Sequence, residues 1–194
     1  RDLSSNKIYS CPQTLFKLHP DFDEIIYGIL KEDKKANFYL IKGKEISFEK
    51  KIYNRLLKKI PNQIDRVHFL DKMSTEEYIN HCGRASVLLD PFYFGAGNSF
   101  HESMFYGTQT VTMPTEFMRS KIVEGAYKQM KIKKPPVVKN INEYISLTIE
   151  IANTEKKKML ETKKYFSEQA EKNLFENEDA LKSFQEKLLE IVNK

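Results

Sequence analysis

Short β-branched or aromatic runs alternate with longer amphipathic stretches through the first three quarters of this 194-residue chain, and that alternation restricts the fold more than any other feature. The runs predict strands at 7–11, 37–41, 66–70, 86–90 and 109–113, each bounded by turn residues or charges. Between them the apolar residues recur at helical spacing. Phe22, Ile25, Ile26, Ile29 and Leu30 share one face of a helix predicted over 21–31. Ile52, Leu56 and Leu57 do the same over 48–60, where Pro61 stops the helix. Ser74 and Glu77 have capping-box spacing and predict a helix start. Further helices are predicted at 98–106, 116–130 and 141–152. Val87-Leu-Leu89 and Val111-Thr-Met113 are apolar without strict alternation, as expected of strands covered on both faces. The expected fold is therefore α/β, a doubly wound Rossmann-like parallel sheet with helices on both sides.

Beyond Asn153 the strand signal disappears. Lys and Glu interleave with Phe166, Leu174, Phe175, Leu181, Phe184, Leu188, Leu189 and Ile191, which predicts two helices broken near 173–179. The expected organisation is a Rossmann-like α/β domain over 1–153 and a C-terminal helical segment over 154–194. That segment would pack on the domain or on a lobe outside this chain. No apolar run approaches the roughly 18–20 residues of a membrane span. Cys11 and Cys82 make no disulfide framework and have no zinc-ligand spacing, so a reducing, cytoplasmic setting is expected. The net charge of +5 is spread evenly, and the one basic cluster, Lys128, Lys131, Lys133 and Lys134, reads as a solvated surface. No nucleic-acid partner is expected. The chain opens on Arg1 without a signal-peptide pattern and reads as a fragment of something longer.

In open α/β sheets ligands bind beyond the carboxyl ends of the strands. The most unusual stretch lies at such a place: Leu89-Asp-Pro-Phe-Tyr-Phe-Gly-Ala-Gly-Asn-Ser-Phe-His-Glu102. A strand ends at Asp90, Gly95 and Gly97 follow, and a helix is predicted to start near Asn98 or Ser99. Glycines admit a ligand close to the backbone, and a helix start supplies free N–H groups, a combination that suits a diphosphate. Asn98 and Ser99 add side-chain donors, and Glu102 could accept from ribose hydroxyls. The loop lacks the Gly-Lys-Ser/Thr of a Walker motif, and Phe100 replaces the third glycine of a dinucleotide fingerprint. On spacing alone, a tight turn with an N-cap explains it equally well. Lys17, in Cys11-Pro-Gln-Thr-Leu-Phe-Lys-Leu-His-Pro20, follows the first strand onto the same edge, where an ammonium could neutralise phosphate. None of His19, His68, His81 and His101 stands beside a nucleophile elbow or has metal-ligand spacing, so neither a hydrolase triad nor a metal site is expected.

The glycine stretch, continued through Gly107-Thr-Gln-Thr-Val-Thr-Met-Pro114 and Glu116-Phe-Met-Arg119, resembles the O-linked N-acetylglucosamine transferase family, especially its bacterial tetratricopeptide-linked and SPINDLY-like members. The stretch around Lys17, running to Asp21 and Phe22, and the strand Arg66-Val-His-Phe-Leu70 resemble the same family in the same order. The resemblance covers almost the whole chain. It implies the C-terminal, donor-binding lobe of a GT-B glycosyltransferase. It also implies inverting, metal-independent transfer of N-acetylglucosamine from UDP to a protein Ser or Thr hydroxyl, the acceptor being held by another lobe. On the family pattern Lys17 is the diphosphate lysine, Asn98 and Ser99 bind phosphate oxygens, and Glu102 binds ribose. Gly97 stands where some members carry a phosphate-contacting His, leaving that contact to backbone N–H. Tyr78 stands where those members place a His against uracil, and Met73 offers backbone contacts to the base. Glu102 departs from the Asp of other members. Another nucleotide sugar, or a non-catalytic protein-binding module, are the alternatives, and affinity for UDP separates the last from the rest.

Overall fold

A computed structural model describes residues 7–193, so Arg1 and the other residues of 1–6, with which the expected first domain begins, lie outside the description, as does residue 194. Strands β1 (Lys7–Cys11), β2 (Ala36–Ile41), β3 (Val67–Leu70), β4 (Val87–Leu89) and β5 (Thr110–Val111) form a five-stranded sheet in the order β3-β2-β1-β4-β5. All four neighbouring pairs are parallel. Helices α1 (Phe22–Glu32), α2 (Ile46–Lys59), α3 (Thr75–Arg84), α4 (Asn98–Ser103), α5 (Ile122–Gln129), α6 (Ile141–Ala152), α7 (Lys156–Asn173) and α8 (Glu178–Val192) surround it. This is the doubly wound α/β arrangement expected from the alternation.

Two cores flank the sheet. On one face α1, α2 and α6 bury Phe22, Ile25, Ile29, Leu56 and Tyr144 against Tyr9, Phe38, Val87 and Leu89. On the other, Phe100, Val123, Tyr127 and Met130 meet Phe166, Ala170 and Leu174, so α7 packs on α4 and α5. Leu88 belongs to a smaller cluster with Cys82 and Ala85. Buried on both faces, β4 needs no polar residue, which is why Val-Leu-Leu shows no alternation. Nearer the sheet edge, β2 alternates buried and part-exposed residues, because α3 leaves some of that face uncovered. α8 buries none of its residues and exposes Leu181, Phe184 and Leu188.

Three expected elements come out differently. The strand expected over 109–113 is only Thr110–Val111, and Thr112 instead bridges Val137 in parallel. The helix expected over 98–106 ends at Ser103, and the chain turns through Gly107 in the left-handed region (φ 61°). A Cβ at Gly107 would collide with the backbone of Lys163 and Ser167, so the turn needs glycine for space as well as for φ. The helix expected over 116–130 splits into a 3-10 turn, Met118–Ser120, and α5. Ser120 causes the break: its hydroxyl donates to the Phe117 carbonyl (2.7 Å) and accepts from the Thr115 N–H (2.9 Å). Such local side-chain bonds compete with the helical ladder.

Candidate functional site

The strand order reverses at β1 and β4, which are neighbours in the sheet but far apart in sequence. The loops leaving their carboxyl ends therefore emerge side by side, as they do at ligand-binding crevices of open α/β sheets. From β1 the chain passes Pro12 and Gln13 into a 3-10 turn, Leu15–Lys17, with Leu15 buried beneath it. From β4 it passes Asp90 into the glycine loop and then α4.

Lys17 bridges the two loops. Its ammonium donates to the Gly95 carbonyl (3.1 Å) and to Gln13 Oε1 (3.0 Å), and it lies 4.5 Å from the centre of the Phe94 ring. Burial lowers its pKa from the ordinary lysine value, while the nearby Asp90 carboxylate works in the opposite direction. Gln13 reaches on to Ser99, its Nε2 donating to the serine Oγ (2.7 Å). The Tyr78 hydroxyl donates toward the carbonyls of Pro12 (3.3 Å) and Ser99 (3.4 Å), which ties α3 to both loops.

Asp90 shapes the glycine loop. Its buried carboxylate accepts from the Ala96 N–H (2.6 Å) and the Thr112 hydroxyl (2.7 Å). Desolvation nevertheless pushes its pKa up to about 7, against the lowering effect of those bonds and of Lys17. The Tyr144 hydroxyl accepts from the Asp90 N–H (2.9 Å) and faces the carbonyls of Asp90 and Val111, fixing the end of β4. A Cβ on Gly95 would stand 2.8 Å from Asp90 Oδ2, so this glycine makes room for the carboxylate. Gly95 N–H donates to the Arg119 carbonyl (3.0 Å), which, with its carbonyl on Lys17, engages both polar backbone groups of this residue inside the protein. Gly97 is different: a Cβ there would meet nothing within 4 Å.

The structure thus brings Lys17, Gly95, Ser99 and Tyr78 into one hydrogen-bonded cluster, with Gly97 and the exposed Asn98 at the start of α4. Glu102 is one turn further on, close enough for its charge to act on Tyr78 and Cys82. Met73 lies apart, lining a cavity of about 440 Å³ with Tyr39, Leu70 and His81. A larger cleft of about 770 Å³ lies between α1 and α2, where Arg55 pairs with Asp23, and contains none of these residues. With only six residues, α4 has a small dipole, and the full positive charge within this cluster is that of Lys17. Of the four histidines, for none of which a catalytic or metal role is expected, His68 stacks on Tyr39 (4.8 Å) and His81 bonds Ser10 (2.8 Å). Among the described residues no three His, Cys, Asp or Glu side chains are grouped to hold a metal.

Gln13 and Asp90 were not among the expected site residues. Each carried a signal, a polar residue at the carboxyl end of a strand, next to a proline and shortly before a residue of interest.

No family model matches the sequence, and no curated protein matches it. Solved structures do. A mutant of the O-GlcNAc transferase from Thermobaculum terrenum superposes with a TM-score of 0.81 at 13% identity, over 97% of this chain and 36% of that one. Sucrose-phosphate synthase from Thermosynechococcus elongatus gives 0.73 at 14% identity, over 98% and 47%. TarM from S. aureus, in a complex that includes UDP, gives 0.66 at 15% identity, over 94% and 35%. The fold is the Rossmann-like α/β fold of GT-B type that these structures share. At these identities the likeness is one of fold, and the chain spans between about a third and a half of the length of those proteins. The expected α/β Rossmann-like class is therefore met.

Proposed function

We propose that this chain is the donor-binding lobe of an inverting, metal-independent glycosyltransferase of the O-GlcNAc transferase type, and that its ligand is a UDP-sugar, UDP-N-acetylglucosamine first among them. One observation carries the proposal: the Lys17 ammonium is held by a carbonyl and an amide oxygen where two loops meet at the topological switch point, beside Ser99 at the start of α4. A cation kept there without a carboxylate in direct contact suits a diphosphate. In the first turn of α4 the Phe100 N–H is taken by the Gly97 carbonyl (2.9 Å), and the N–H groups of Asn98 and Ser99, which precede the helical ladder, add donors. TarM, which shares the fold, was solved with UDP, and this supports uridine as the base.

In this reading the C–O bond between sugar and diphosphate breaks, and negative charge accumulates on the leaving phosphate. Lys17 and Ser99 stabilise that charge, and preorganised donors of this kind are worth about 2.7–4 kcal/mol each where single ones have been removed. Glu102 accepts from the ribose, the Tyr78 ring stacks against the base while its hydroxyl holds the two loops at their spacing, and Met73 offers the base backbone contacts. Asn98 and the N–H of Gly97 reach the phosphates. The acceptor, a Ser or Thr hydroxyl on a protein, is held by a second lobe outside this chain, so the chain binds donor without transferring sugar. A cytoplasmic setting belongs to the same reading. Among the described residues no helix is long and apolar enough to cross a membrane.

Calorimetry with UDP, ADP and GDP tests it. UDP should bind more tightly than the purine diphosphates and raise the melting temperature. Equal affinity for all three would point to another nucleotide sugar, and no heat with any of them at millimolar concentration would leave a protein-binding module in its place.

A further inference from the structure

We infer that Gln13 is the positioning residue of the anion site, its carboxamide deciding which hydrogens of Lys17 and Ser99 remain for the ligand; the inference rests on the diphosphate reading above. Gln13 is only 6% exposed, unusual for a glutamine two residues past a strand end. Both ends of its amide are engaged, Oε1 by Lys17 and Nε2 by Ser99. The orientation is self-enforcing. A flipped amide would aim its N–H groups at an ammonium, which has no acceptor to offer.

The consequences follow from counting donors. The Lys17 ammonium has three hydrogens; Gln13 and the Gly95 carbonyl take two, and the Phe94 ring covers one flank, which leaves a single hydrogen for a phosphate oxygen. Ser99 Oγ accepts from Gln13, so its own proton is free to be donated. One neutral side chain thus turns a lysine on one loop and a serine on the other into a matched pair of donors. A carboxylate at this position would do the opposite, neutralising Lys17 and offering Ser99 no hydrogen. Gln13 itself need not touch the ligand, and its effect should be confined to the phosphate end.

The test compares UDP with uridine on the intact chain, wild type against Gln13→Leu and the near-isosteric Gln13→Glu. Both variants should bind uridine as the wild type does. Gln13→Leu should weaken UDP about tenfold, the effect of losing a hydrogen bond to a charged group, and Gln13→Glu should weaken it further at neutral pH. Ligand-free melting curves establish that both variants are folded. Undiminished UDP affinity in either variant overturns the inference while leaving the diphosphate reading intact. Parallel losses for UDP and uridine overturn it as well, since they would make Gln13 a general structural residue. Failure of the wild type to bind UDP more tightly than uridine would remove the diphosphate reading itself, and this inference with it.

Discussion

Replacing Lys17 with Met removes the ammonium while keeping an unbranched side chain of similar length against Phe94. The size of the effect follows from what surrounds the charge. A hydrogen bond to a charged group contributes about 1.5–3 kcal/mol. Two unit charges about 3 Å apart at an effective dielectric near 20 attract by roughly 5 kcal/mol, which sets a ceiling. Lys17 lies in the upper part of the lower range for two reasons. It is part-buried in the free protein, and that burial lowers its pKa, so less hydration is lost when phosphate arrives. Its removal also leaves the Gly95 carbonyl and Gln13 Oε1 facing the phosphate with no cation between them. A loss of about 2–3 kcal/mol is expected, or roughly 30- to 150-fold in the Kd for UDP. Calorimetry at fixed ionic strength measures it, with uridine as the control that should not change. A UDP affinity within threefold of wild type would refute the assignment of Lys17 to the diphosphate.

The two glycines of the loop should respond in opposite ways. Gly95→Ala drives a Cβ into the buried Asp90 carboxylate and should destabilise the fold by about 1–3 kcal/mol, read from a urea titration. Gly97→Ala meets open space and should leave stability within about 0.5 kcal/mol while weakening UDP, because the added methyl lies where the ligand would approach. Asp90 makes stability depend on pH. Its carboxyl titrates near 7 in the folded chain and near the ordinary 3.8 when unfolded, so between those values the folded state holds the extra proton. Stability should then fall as pH rises from about 4 to 7 and level off above. Asp90→Asn removes that slope, and its unfolding midpoint should gain on wild type between pH 5 and pH 8; a difference constant across that range would show that Asp90 does not titrate there.

The strand and helix pattern was legible because each element states its own burial. β1 and α6 have the expected bounds, since the apolar residues of each, Tyr9 and Cys11 in one and Tyr144, Ile145 and Ile151 in the other, face a core that their local periodicity already implied. The errors fall where something other than periodicity intervened, a distant segment in one case and a local side-chain bond in the other. β5 is cut short by the chain around Val137, and the helix after Glu116 is interrupted by Ser120 turning back on Phe117. The glycine loop was conspicuous as a motif, yet its spacing alone did not distinguish a ligand cradle from a capped turn.

What a linear reading of the residues established is the α/β class, the placing of Lys17 and the glycine loop after strands, and the residue types available to meet an anion. The adjacency of β1 and β4, the bridging amide of Gln13 and the buried carboxylate that Gly95 accommodates emerged only when the chain was folded. The physical reason is that periodicity reports a residue's exposure to its own neighbours. A hydrogen bond between Gln13 and Ser99 depends instead on which strands share an edge, and that is decided by the packing of the sheet as a whole.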